Sequence, residues 1–151
     1  MPFYQKRGEI QNKRHIQFRD DSENLYWEEL ISREGFSHVY SNVYHIHPPT
    51  TVENVGDLNR INLTSADQTH RHHHIRTANL DSKGNAISSR IPLFFNTDLA
   101  ISKAHVTDSM DSLYRNGNAD EVLFIHRGSG TFSSNFGNME LKTGDYLVIP
   151  R

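Results

Sequence analysis

Two groups of histidines carry the spacing that metal chemistry uses. In His45-x-His47 the side chains would share one face of a strand, since successive residues point to opposite faces. A transition metal needs at least one further imidazole or carboxylate. The next acidic residue, Glu53, lies beyond Pro48-Pro49, which interrupt the strand that would present it. The plainer reading is a half-buried strand whose imidazoles bond backbone carbonyls. The run His70-Arg71-His72-His73-His74 is denser, and His72 and His74 again alternate, yet no acidic residue follows until Asp81. Between Thr69 and Arg76 this reads as an exposed loop or edge able to pick up Zn or Ni adventitiously. Other chemistry is poorly supplied. There is no cysteine, so no thiolate nucleophile and no disulfide framework. No Gly-x-Ser-x-Gly elbow occurs, and Gly128-Ser129-Gly130 lies between strands with no helix N-terminus to receive a phosphate. Asp98, Asp108 and Asp111 sit in polar turns. These residues assign the chain no catalytic, cofactor-binding or metal position.

The elements that would position any site are read most clearly between Asn118 and Arg151. Val122 to Ile125 is an unbroken apolar run of strand formers, apolar toward both faces and therefore expecting cover on both. Gly128-Ser129-Gly130 suits a bulge or tight bend, and Thr131 to Ser133 can return as a strand. Asn135-Phe136-Gly137-Asn138 is turn chemistry. Met139 to Lys142 alternates apolar and polar at period two, Thr143-Gly144-Asp145 turns again, and Tyr146 to Ile149 is a last apolar run ended by Pro150. Four short, closely spaced strands imply an antiparallel barrel or sandwich. Upstream, Leu25 to Ile31 has both helical i, i+4 pairs and strand composition, with core packing around Trp27, the single Trp, as its plain reading. Val39-Tyr40 and Val43 to His47 read as strand up to Pro48.

The spacing in this last stretch resembles the two motifs of the cupin family of jelly-roll barrels. Glu121 and Gly128 match the end of the first motif, and Gly144 and Pro150 match the opening of the second. A metal-binding cupin supplies a His-x-His pair three or four residues before that Glu. Here those positions are Tyr114 and Asn116, or Arg115 and Gly117, and the position of the last family His falls after Arg151. A closer resemblance covers the chain from end to end. Met1 to Ile10 with Lys13-Arg14-His15, Leu25-Tyr26 to Glu29-Leu30, Gly35-Phe36-Ser37, Tyr44 to Thr50, Ala119 to Gly130 and Gly144 to Arg151 are similar to bacterial homogentisate 1,2-dioxygenases. It is weakest between Val52 and Ala104.

That resemblance implies an Fe(II) enzyme of tyrosine and phenylalanine breakdown that opens the ring of homogentisate with O2 to give maleylacetoacetate. Family members are longer. It further implies that residues 1–151 are the amino-terminal portion, with 1–110 as leading strands and loops and 111–151 as the start of a cupin barrel cut within its second motif. The iron ligands belong to a carboxy-terminal half beyond Arg151, so no cofactor is expected in this chain; the partners implied are homogentisate, O2 and further copies in a homo-oligomer. The expected fold class is all-β, a cupin-like jelly roll or β-sandwich with an incomplete barrel. An early stop, a truncated product and a partial sequence all fit this reading. The alternative function is a small stand-alone cupin-like protein that binds a metal or ligand through His72 and His74.

Composition sets wider bounds. The 151 residues carry a formal net charge of -2, which leaves no global basic field for nucleic acid. Lys6-Arg7 and Lys13-Arg14 are answered by Asp20, Asp21, Glu23, Glu28 and Glu29. No apolar run approaches the roughly 20 residues that span a bilayer, and Met1 to Arg7 lacks the apolar core of a secretory signal, so the expected compartment is the cytoplasm. Hydrophobic residues make up 35% and mean hydropathy is -0.67, low for an independent globule.

Overall fold

The structure is a computed structural model that describes residues 17–57, 63–64 and 71–151. Its regular elements are β1 (Trp27–Ser32), β2 (Tyr40–His45), β3 (Ile91–Phe95), β4 (Ala100–Lys103), β5 (Glu121–Phe124), β6 (Ser129–Ser134), β7 (Gly137–Lys142) and β8 (Tyr146–Ile149), with a single 3₁₀ turn at Thr77–Asn79. The chain is all-β, as its sequence leads one to expect. All four strand pairings are antiparallel, β1 with β2, β3 with β4, β5 with β8 and β6 with β7. Each ladder has two strands, and among the described residues no closed barrel forms. The β6–β7 hairpin nested inside the β5–β8 pair is consistent with a cupin-like β-sandwich. Among the described residues no helix is long and apolar enough to cross a membrane.

The chain forms two compact units, Met1–Leu58 with Asn116–Arg151, and Asn59–Arg115. In the first, the ambiguous segment around Trp27 resolves as strand. Its pairing runs from Trp27 opposite His45 to Ser32 opposite Tyr40 and satisfies the backbone groups that a six-residue helix would leave largely unpaired. Core packing around Trp27 is not found; the side chain is 54% exposed. A tight loop precedes β1. The Asp20 carboxylate accepts from the Ser22 and Asn24 backbone N–H groups at 2.9 and 2.8 Å and from Asn24 Nδ2 at 3.2 Å. The Asn24 backbone bond first, then its side chain, hold the Asp20 carboxyl below its ordinary value. Its stabilisation of the loop is present above the ordinary carboxyl value of roughly 3.9 and is lost as pH falls through the lower folded value. Phe18 packs on Tyr44 with ring centroids 4.4 Å apart, which ties this loop to β2.

The second unit is built on the β3–β4 hairpin, whose register shifts between Pro92 and Phe94. Proline has no ladder donor, and a bulge accommodates it. Asn96 Oδ1 accepts from the Asp98 and Leu99 N–H groups, both at 2.8 Å, and forms the hairpin turn. Lys103 Nζ donates to the Thr77 carbonyl and anchors the 3₁₀ turn to β4.

Strands β5 to β8 follow the sequence closely, with one correction. The expected run Val122 to Ile125 appears as β5 shifted by one residue, and its pairing with β8 places Leu123 opposite Leu147 on one face and Val122 opposite Val148, Phe124 opposite Tyr146 on the other. Only the first face is covered. Leu147 is 6% exposed and is the one buried apolar side chain among the described residues, whereas Val122, Phe124, Tyr146 and Val148 are 67%, 49%, 70% and 62% exposed. The expectation of cover on both faces is therefore not met in this chain. The turn read over Asn135 to Asn138 narrows to Asn135-Phe136, with Gly137 already the first residue of β7. Of Gly128-Ser129-Gly130 only Gly128 lies in the preceding bend, next to Arg127, since Ser129 and Gly130 lie within β6.

Burying one leucine contributes about 1.5–3 kcal/mol, against about 1–2 kcal/mol to order each residue's backbone. The Ser82 and Ser89 hydroxyls are buried without a hydrogen-bond partner and add a cost. The 151-residue chain by itself should therefore unfold over a broad thermal range and bind the apolar dye ANS strongly. Circular dichroism melting with dye fluorescence checks this; a sharp cooperative transition without dye binding contradicts it.

Candidate functional site

The two segments that resemble cupin motifs in sequence meet at one end of the β5–β8 ladder. Beyond the last strand pair, the Ile125 N–H donates to the Asp145 carbonyl at 2.9 Å and the Gly144 N–H donates to the Ile125 carbonyl at 2.8 Å. Thr143 then reaches across to the first motif, its Oγ1 accepting from the Gly128 N–H at 3.0 Å and donating to the Gly128 carbonyl at 3.1 Å. Gly128 has φ 101° and Gly144 φ 96°, a region closed to residues with a Cβ except at a strain cost. A Cβ at either would meet nothing within 4 Å, so glycine is required by backbone conformation and not by space. Asp145 Oδ2 accepts from the Lys142 N–H at 2.8 Å and closes the turn between β7 and β8.

At the other end of the ladder stands Glu121, half-buried and opposite Ile149. Asn116 Nδ2 donates to Glu121 Oε1 at 2.9 Å. Asn116 Oδ1 in turn accepts from the Asn118 and Ala119 N–H groups at 3.0 and 3.2 Å. One of the positions read from the motif as the site of a His pair thus does touch the motif's carboxylate, through an amide. Tyr114 lies beneath the Arg90 guanidinium, 5.5 Å from ring centroid to carbon. Asp120, which sequence reasoning passed over, joins two parts of the unit. Its Oδ2 accepts from Arg33 Nη2 at 2.7 Å, and its Oδ1 accepts from the Arg151 N–H at 3.0 Å, just after Pro150.

The pair His45 and His47 is not presented on one strand face. Strand β2 ends at His45, and His47 lies exposed past that end, before the prolines. His45 instead finds a carboxylate across the hairpin, its Nε2 donating to Glu29 Oε2 at 2.8 Å, and both side chains are largely buried. Glu29 pairs with Val43 and His45 with Trp27, so the two are diagonal neighbours on one face. A carboxylate can only accept, so Nε2 carries the proton of this bond. The neighbouring Tyr44 hydroxyl is pushed above its ordinary value, by burial first and then by the negative charge of Glu28. Glu29 was legible only through the register, which the sequence does not print. Glu53 is exposed in an irregular segment.

His72, His73 and His74 are exposed and outside any strand, as an exposed loop reading requires; His70 lies outside the described residues. Among the described residues, no three His, Asp or Glu side chains come together in a way that could hold a metal ion. Asp98, Asp108 and Asp111 are exposed and outside the strands.

No family model matches the chain, and no solved structure matches it significantly. A protein of Saccharolobus solfataricus named "Putative dioxygenase" is 39% identical to it over 153 residues. The alignment takes in 100% of this chain and 40% of that relative, so the chain spans about 40% of the length of the curated relative it matches.

Gly128→Ala or Gly144→Ala should each weaken the junction by about 1–2 kcal/mol, a roughly 5- to 30-fold rise in local opening. Hydrogen exchange at the Ile125 and Gly144 amides reads this. Gly130→Ala, at a position without positive φ and with open space for a Cβ, should leave those amides unchanged.

Proposed function

We propose that this chain is a structural part of an O2-dependent ring-cleaving enzyme, with homogentisate as the substrate. The observation that carries the reading is the alignment of the whole chain with part of a longer protein that bears a dioxygenase name. The homogentisate substrate rests on the resemblance of Met1 to Ile10, Tyr44 to Thr50, Ala119 to Gly130 and Gly144 to Arg151 to bacterial homogentisate 1,2-dioxygenases. The reaction adds both atoms of O2 to homogentisate and gives maleylacetoacetate. An oxygenase of this kind uses Fe(II) held by two His and a carboxylate, with open positions for substrate and O2.

The described residues of this chain do not fit that metal. Beside Glu121 stands the Asn116 amide where an imidazole would be needed, and Tyr114, Arg115 and Gly117 offer no usual ligand. His45 is engaged with a carboxylate across its own hairpin. The exposed run at His72 belongs to no group of three potential ligands among the described residues. We assign the iron, the substrate contacts and the oligomer contacts of the enzyme to the longer protein, and an architectural role to this chain.

The test is an oxygen electrode with two proteins, each supplied with Fe(II) and homogentisate. The 151-residue chain alone should consume no O2. A chimaera in which it replaces the aligned 40% of the Saccharolobus solfataricus relative should form maleylacetoacetate, and His72→Ala within it should leave turnover nearly unchanged. Turnover by the chain alone that disappears with His72→Ala would contradict the architectural reading and favour a small metal-binding protein.

A further inference from the structure

The exposed face of the β5–β8 ladder is the least expected surface of the first unit. Val122 and Val148 face each other across the ladder, as do Phe124 and Tyr146, whose ring centroids are 4.7 Å apart. His126 continues the row, its ring 6.4 Å from Phe124. The four paired side chains are all uncharged, more than half exposed in sum, and backed by Leu123 and the buried Leu147 on the opposite face. Alternation along a strand exposed to water on one side places polar residues there. Here the outward positions are apolar, which marks the ladder as an inner layer.

We propose that this face docks a second apolar β-layer, carried by the polypeptide that the longer relative has beyond the aligned 40%. The proposal rests on the reading given under Proposed function and names the surface through which the chain joins the enzyme. Area decides between this occupant and a second copy of the chain. Four such side chains, with an aromatic side chain burying about 150–250 Å², expose roughly 400 Å² at this degree of burial. That matches the roughly 300–600 Å² of the largest apolar patch on a typical monomer, a patch that is often functional. It is about half of the roughly 800 Å² per partner that a stable complex between separate chains uses. A layer on the same polypeptide forgoes the translational and rotational cost of association, so the smaller area suffices.

The sequence contains no cysteine, so one introduced thiol reports one position. Val148→Cys and Tyr146→Cys should react with a maleimide in the 151-residue chain as exposed thiols do, and at least about tenfold more slowly in the chimaera with the Saccharolobus solfataricus relative, scored on the modified peptide. Phe36→Cys, on an exposed loop residue, should react equally in both. As a second readout, Val148→Asp should leave the melting of the chain alone unchanged and lower that of the chimaera. Equal labelling at Val148 in the chain and the chimaera overturns the proposal. Protection in the chain alone that grows with its concentration assigns the face to a second copy and also overturns it. Labelling does not depend on turnover. A chimaera protected at Val148 yet inactive on homogentisate keeps the docking face and removes the enzymatic reading; an active chimaera that labels freely does the reverse.

Discussion

The register of β5 against β8 is the constraint on which the rest of the first unit depends. With Glu121 opposite Ile149 and Phe124 opposite Tyr146, the ladder must be closed at its far end by backbone that turns twice within a few residues. Gly128 and Gly144 supply the conformations, and Thr143 ties one turn to the other with a single hydroxyl used as both donor and acceptor. A slip of one residue would move every side chain of the ladder to the opposite face. Leu147 would then lose the only buried apolar position among the described residues, and the apolar row led by Val122 would replace it.

The same register decides the partners of this chain's polar groups. Its half-buried polar groups are spent on one another. Glu121 takes the Asn116 amide and His45 takes Glu29, while the exposed Asp120 takes both Arg33 and the Arg151 backbone. The two half-buried bonds contribute on the order of 1 kcal/mol each or somewhat more where a charge takes part, and the exposed ion pair contributes less because water screens it. Together they hold the strands in place with almost no apolar core. The exposed histidines from His72 to His74 have no comparable setting.

How much of this was legible in the sequence varies by the physics involved. Strands β5 to β8 were read to within a residue or two because period-two alternation and the glycine turns agree with the pairing that forms. Glu121, Gly128, Gly144 and Pro150 were found by spacing, and the structure brings the first three into the hydrogen-bonded ends of a single ladder. The contacts that complete those ends were not legible. Thr143, Asn116 and Glu29 act through partners fixed by register, and an isolated Thr, Asn or Glu carries no sign of its partner. His45 and His47 misled because strand alternation was extended past the point where the chain leaves the sheet. The outward face of Val122 and Phe124 misled in the other direction. Its composition is that of a buried strand, and this chain leaves it exposed.

The central claim is that these residues form one layer of a larger ring-cleaving protein. Sequencing the gene downstream of the Arg151 codon tests it most directly. The account predicts an open frame that continues into a second β-rich half carrying two His and a carboxylate suited to Fe(II). A stop codon directly after Arg151, in a gene whose 151-residue product is found as such in cells, would contradict it.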